Sequence, residues 1–249
     1  MHPACLKNND CVRCTVCSYC NLELAFLLDS SSKSIGDAWT HILEFTSSVI
    51  DGYNINPSCV RASVISYSDS AVVSIELNRY NDRNSLQQAV RQLRLLNRGS
   101  NLATAFNLLR TRVFVSNVIR QNTALIAVVV TDQIQPSTRL NNEANSVKRQ
   151  GITIIAVGIT RVPGRVDTNT LFGVSTNNYA VSASDYNQLS SVVSRITAPG
   201  SWGCFAVTVR PTSPPTTTRP PPVGGRLHLL LYYIICVISS SVIIVAICS

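Results

Sequence analysis

Apolar positions change period several times along the chain, and each change marks an element. Residues 124–130 (ALIAVVV) are apolar without a break, as a strand buried on both faces of a parallel sheet must be. Residues 21–28 (NLELAFLL) form a similar short run, and 60–67 and 71–77 read as strands around a turn at 68–70. Between these runs the spacing lengthens to that of a helix: Trp39, Ile42, Leu43, Thr46 and Val49 share one face of 35–49. Leu86, Val90, Leu93 and Leu96 do the same over 85–96, and 102–112 predicts a further helix. A helix over 138–150 ended by Gly151, a strand over 152–157 and a last helix over 186–196 capped near Ser184 complete the series. Strands alternating with helices predict an α/β fold, a doubly wound, mostly parallel sheet of Rossmann-like kind.

Sheets of this kind gather ligands beyond the carboxyl ends of their strands, and two acids stand there, Asp29 and Asp132. Asp29 is followed by Ser30, Ser31, Ser32, Lys33 and Ser34. Carboxylates and hydroxyls converging from separate loops make an all-oxygen site suited to a hard cation such as Mg²⁺. The same serines also suit a helix N-terminus as plain caps.

Outside residues 21–199 the composition shifts. Residues 1–20 hold Cys5, Cys11, Cys14, Cys17 and Cys20, the last four at every third position. An iron–sulfur run needs a longer final gap followed by proline, and zinc needs two ligand pairs separated by a loop, so disulfides are the preferred reading. Residues 200–226 form a Pro/Thr-rich stalk, with six of the chain's 11 prolines within 208–226. Residues 227–248 contain no Asp, Glu, Lys or Arg and would span about 33 Å as a helix, so 227–249 is expected to be a single transmembrane helix or a glycolipid-anchor signal. The cysteines favour an extracellular domain, whereas Arg210, Arg219 and Arg226 before the apolar segment, with no cation after it, allow a cytosolic, tail-anchored one. The first ten residues show no secretory leader, and truncation at one or both ends is expected.

Net charge is 21 − 13 = +8, which favours anionic partners such as polysaccharides, lipid head groups or acidic protein faces. Aromatic residues are only 6% of the chain and do not interleave with Arg91, Arg94 and Arg98, so nucleic acid is not expected. Catalysis is not expected either: G-x-S-x-G, G-x-G-x-x-G and P-loop motifs are absent, and the histidines are His2, His41 and His228.

Five blocks then occur in order: FLLDSSSKSIG, RGSNLATAFNLL, AVVVTDQ, VKRQGITIIAVGI and YAVSASDYNQLSSVVSRI. Together, across about 21–197, they resemble the von Willebrand factor type A domain found in matrilins, collagen VI and integrin inserted domains. The resemblance implies a metal-ion-dependent adhesion site built from an Asp-x-Ser-x-Ser loop, a hydroxyl on a second loop and an Asp on a third. A partner's carboxylate would complete the coordination of Mg²⁺ or Mn²⁺. Carried onto this chain, the ligands are Asp29, Ser32, Ser34, Ser100 and Asp132, with one residue inserted in the first loop. Read without the insertion, the loop would offer Ser31 and Lys33, and a protonated lysine has no lone pair to give. The implied function is a cell-surface or matrix adhesion module for extracellular matrix or cell-surface proteins. The alternative is an intracellular, metal-independent scaffold for protein–protein interaction.

The two ends of such a domain can lie close together, so a disulfide clasp between Cys20 and Cys204 is expected, with Cys59 as the alternative partner for the N-terminal cluster.

Overall fold

The computed structural model describes residues 21–31, 37–96 and 98–198. The cysteine-rich segment, Ser32, Lys33, Ser34, Cys204, the stalk and the apolar C-terminal segment therefore lie outside the described residues. Among the described residues no helix is long and apolar enough to cross a membrane.

Six strands form one sheet: β1 (Leu22–Asp29), β2 (Val60–Tyr67), β3 (Ala71–Ile75), β4 (Ala124–Thr131), β5 (Thr153–Ile159) and β6 (Ala180–Ala183). Their order is β3-β2-β1-β4-β5-β6, with every neighbour parallel except β3, which runs antiparallel to β2 at one edge. β1 is buried along its whole length because it has a strand on each side and helices on each face.

Alternation along β1 feeds two cores. Leu22, Leu24, Phe26 and Leu28 face the side covered by α1 (Ala38–Asp51), α2 (Arg83–Arg91) and α6 (Leu189–Thr197). Ala25 and Leu27 face the other side, under α3 (Leu102–Leu108), α4 (Thr138–Arg149) and α5 (Thr168–Val174). Each buried leucine contributes about 1.5–3 kcal/mol relative to its exposed state.

Several boundaries differ from the pattern-based expectation for physical reasons. α2 stops at Arg91 although apolar spacing continues to Leu96. The Leu93 carbonyl accepts from Trp39 Nε1 at 2.9 Å, and the Leu96 N–H donates to Ser30 Oγ at 2.7 Å, so tertiary partners replace helical ones. After α3 the chain continues through a wider π-helical turn, Leu109–Val113. The last helix is preceded by a 3₁₀ turn, Tyr186–Gln188, whose cap is Asp185 and not Ser184; its side chain accepts from the Gln188 N–H. α5 and β6 were not legible in the pattern, since a seven-residue helix and a four-residue edge strand give too short a period.

At the amino end of β1, Glu23 is fully buried between two guanidinium groups. Arg61 Nη2 lies 2.6 Å from Glu23 Oε1, and Arg120 Nε donates to the same oxygen at 2.9 Å. Arg120 also donates to the carbonyls of Leu22, Pro57 and Cys59, drawing β1 and the loop before β2 together. Cys59 is disulfide-bonded, and every other cysteine of the chain is outside the described residues, as are both members of the expected clasp.

Replacing Glu23 with Ala leaves two half-buried cations without their shared anion. The expected loss is about 3–5 kcal/mol, read as a lower urea midpoint; a change under about 1 kcal/mol would show that the triad is not a structural tie.

Candidate metal centre

The site lies at the carboxyl ends of β1 and β4, where the chain leaves these neighbouring strands toward opposite faces of the sheet. Asp29 ends β1 and is completely buried. Its Oδ1 accepts from the Ser31 backbone N–H at 3.1 Å and from the Ser31 hydroxyl. Its Oδ2 accepts from Ser100 Oγ at 2.9 Å and from Thr131 Oγ1 at 2.8 Å.

Each donor is placed by local structure. Thr131 is the last residue of β4, one strand over from Asp29 and on the same face. Ser100 sits on the loop before α3, which is pinned to the end of β2 by the Asn101 N–H donating to the Ser68 carbonyl at 2.8 Å. Gly99 allows this approach, because a Cβ there would fall 2.0 Å from Asp69 Oδ1. Asp132 follows β4 directly; its Oδ2 accepts from the Tyr186 hydroxyl at 2.8 Å and lies 3.5 Å from Arg165 Nη1.

All of Asp29's partners among the described residues are neutral. Burial pushes its carboxyl above the ordinary value of 3.8; the Ser31 hydrogen bond opposes this, the Asp132 charge adds to it, and Thr131 and Ser100 oppose it. Beside it across the β1–β2 pairing, the Tyr67 hydroxyl is buried close to the Asp29 carboxyl and the Thr131 hydroxyl. Burial, with the nearby Asp29 and Asp132 charges, holds this phenol well above its ordinary range.

Of the sequence-derived ligands, Asp29, Ser100 and Asp132 come together at this end of the sheet, and Ser32 and Ser34 are outside the described residues. Ser31, which the reading with one inserted residue passes over, also places its hydroxyl on Asp29. Thr131, Tyr67, Tyr186 and Arg165 were missed. Thr131 had a signal, since a polar residue ending an apolar strand beside an acid stands out; the other three reach the site from elsewhere in the chain.

The oxygen donors present fit a hard divalent cation. Asp29 and Asp132 supply the charge, and Ser31, Ser100 and Thr131 supply neutral oxygens, with the buried Tyr67 hydroxyl beside Asp29 and Thr131. Such an ion would offset the desolvation that burial imposes on Asp29.

Residues 23–195 match the profile of the von Willebrand factor type A domain. The chain belongs to that family. It is 29% identical to human matrilin-3 over 150 residues, which is 59% of this chain and 31% of the relative. It is 26% identical to the human collagen alpha-5(VI) chain over 190 residues, covering 74% of this chain and 7% of the relative. The chain thus spans about a third of the matrilin it matches and a small part of the collagen. Among solved structures, proximal thread matrix protein 1 from the mussel byssus, with a zinc-occupied MIDAS motif, superposes with a TM-score of 0.65 at 17% identity, covering 72% of this chain and 45% of that one. The manganese-loaded TRAP protein of Plasmodium vivax gives 0.57 at 16% identity, covering 70% and 73%. These two likenesses show a shared fold.

A raised carboxyl has a defined signature. The neutral form of Asp29 favours folding below the unfolded value of 3.8, and that contribution is lost as pH rises through the folded pKa. In EDTA, wild type should therefore lose stability relative to Asp29→Asn as pH increases from about 4, measured by urea denaturation across a pH series. Parallel curves for the two proteins would contradict the assigned burial effect.

Proposed function

We propose that the domain is an adhesion module that holds a divalent cation, Mg²⁺ or Mn²⁺, at Asp29 and Asp132 and binds a carboxylate of an extracellular matrix or cell-surface protein. The observation that carries this reading is a fully buried Asp29 carboxylate whose partners among the described residues are all neutral, with Asp132 nearby. Asp29, Ser31, Ser100, Thr131 and Asp132 would hold the ion, which supplies positive charge for the partner's acid. Ser32 and Ser34 remain proposed ligands of the first loop. The residues themselves position that charge: the hydroxyls orient Asp29, and Tyr186 orients Asp132.

Binding without chemistry suits the site. His41, the sole histidine of the described residues, has Nδ1 2.7 Å from the Asp37 carbonyl. The family membership and the zinc- and manganese-loaded neighbours support metal-dependent adhesion over the metal-independent scaffold. Display outside the cell, on the 200–226 stalk and held in the membrane through 227–249, belongs to the same proposal.

Calorimetry on the full chain should show heat with Mn²⁺, reversed by EDTA and absent in Asp132→Ala, while circular dichroism shows that variant folded. Retained Mn²⁺ binding in folded Asp132→Ala would place the ion elsewhere. For topology, a chain supplied with a signal peptide should be labelled by surface biotinylation of intact cells. Labelling only after permeabilisation would favour the intracellular scaffold.

A further inference from the structure

We propose that Arg165 is a tethered counter-cation, which holds Asp132 in the metal-free domain and competes with the divalent ion for it. The inference rests on the metal-dependent reading above and adds a regulator to that site.

The backbone that carries Arg165 is fixed. Ile134 and Val166 form a parallel bridge in which the Ile134 N–H donates to the Arg165 carbonyl and the Asp167 N–H to the Ile134 carbonyl, both at 2.9 Å. Gln135 Nε2 donates to the carbonyls of Gly164 at 2.7 Å and Arg165 at 3.0 Å, clamping the loop to the segment just after Asp132. Gly164, at φ +77, makes the turn into the clamp, and Asp167 fixes its exit by capping α5. A loop held on both sides delivers one long side chain to a chosen place.

That place is the third ligand. Arg165 Nη1 lies 3.5 Å from Asp132 Oδ2, the oxygen that also accepts from Tyr186, and Nη2 donates to Gln133 Oε1 at 3.0 Å. Asp132's side chain is 7% exposed and Arg165's 26%, so the acid is committed to the site while the guanidinium has a way out to solvent. The 3.5 Å separation is looser than a good charge-assisted hydrogen bond, as suits a contact that must be broken. A guanidinium and a divalent ion repel, and each lowers the other's affinity for a shared carboxylate. The contrast with Glu23 is instructive: there the acid faces two guanidinium groups at 2.6 and 2.9 Å, a closed arrangement.

Titration calorimetry with Mn²⁺ on the full chain decides the matter, comparing wild type, Arg165→Ala, Gln133→Ala and Arg149→Ala. Arg149 ends α4, at the opposite end of the strands, and controls for net charge. Removing a partly exposed pairing cation should tighten Mn²⁺ binding by roughly three- to tenfold in Arg165→Ala. Gln133→Ala, which removes one of the guanidinium's partners but keeps its charge, should give a smaller gain in the same direction, and Arg149→Ala none. Without metal, Arg165→Ala should melt below wild type, and Mn²⁺ should raise its melting temperature more than that of wild type. Heat in Arg165→Ala with none in wild type would support the proposal in its strongest form. Equal or weaker Mn²⁺ affinity in Arg165→Ala overturns the competition and leaves the metal-dependent reading standing. Silence in both proteins overturns that reading and the competition together.

Discussion

A carboxylate taken out of water at the end of the central strand governs the functional end of this domain. Asp29 cannot be buried there unless its oxygens are satisfied, and three hydroxyls from three separate segments do this: Ser31, Ser100 and Thr131. Meeting that demand ties the loop after β1, the loop before α3 and the end of β4 into one cluster. None of these three partners carries a positive charge, so among the described residues the hydrogen bonds of Asp29 are satisfied while its charge is not. That imbalance is what the proposed cation would offset.

The same strand carries the opposite solution at its other end. Glu23 is as buried as Asp29 but meets two arginines, so its charge is balanced within the protein and nothing remains to attract a ligand. One strand thus has an acid whose charge is balanced by two arginines and an acid whose described partners are all neutral. What separates them is the charge of their neighbours and not their burial. Asp132 is intermediate, with a neutral phenol and a guanidinium among its partners.

Topology explains why these groups meet at all. With β1 flanked by β2 and β4, the chain leaves β1 toward the α1 face and β4 toward the α4 face, opening a crevice between the two departures. The Arg165 loop borders that crevice because the Ile134–Val166 bridge docks it there. Order in the sheet therefore converts residues over 100 positions apart, such as Asp29 and Thr131, into hydrogen-bond partners.

The sequence by itself determined the strands that are apolar throughout, the major helices, and Asp29, Ser100 and Asp132 as groups at strand ends or on the loop between them. The strands, helices and two acids leave a local trace, an unbroken apolar run, a helical period or an acid directly after a buried strand, whereas Ser100 is legible only through the resemblance of its block to the family's second loop. Tertiary structure decided the rest. α2 ends at Arg91 because Trp39 and Ser30 claim backbone groups that a longer helix would have used. That Ser31 reaches Asp29 was set by loop geometry, since a run of serines is chemically uniform along the chain. Tyr67, Tyr186 and Arg165 left no trace, because a side chain's charge or hydroxyl is visible in sequence but its neighbour across the fold is not. Hydrophobic periodicity is a local property, whereas the balance of charge around a buried acid is set by residues that only folding brings together.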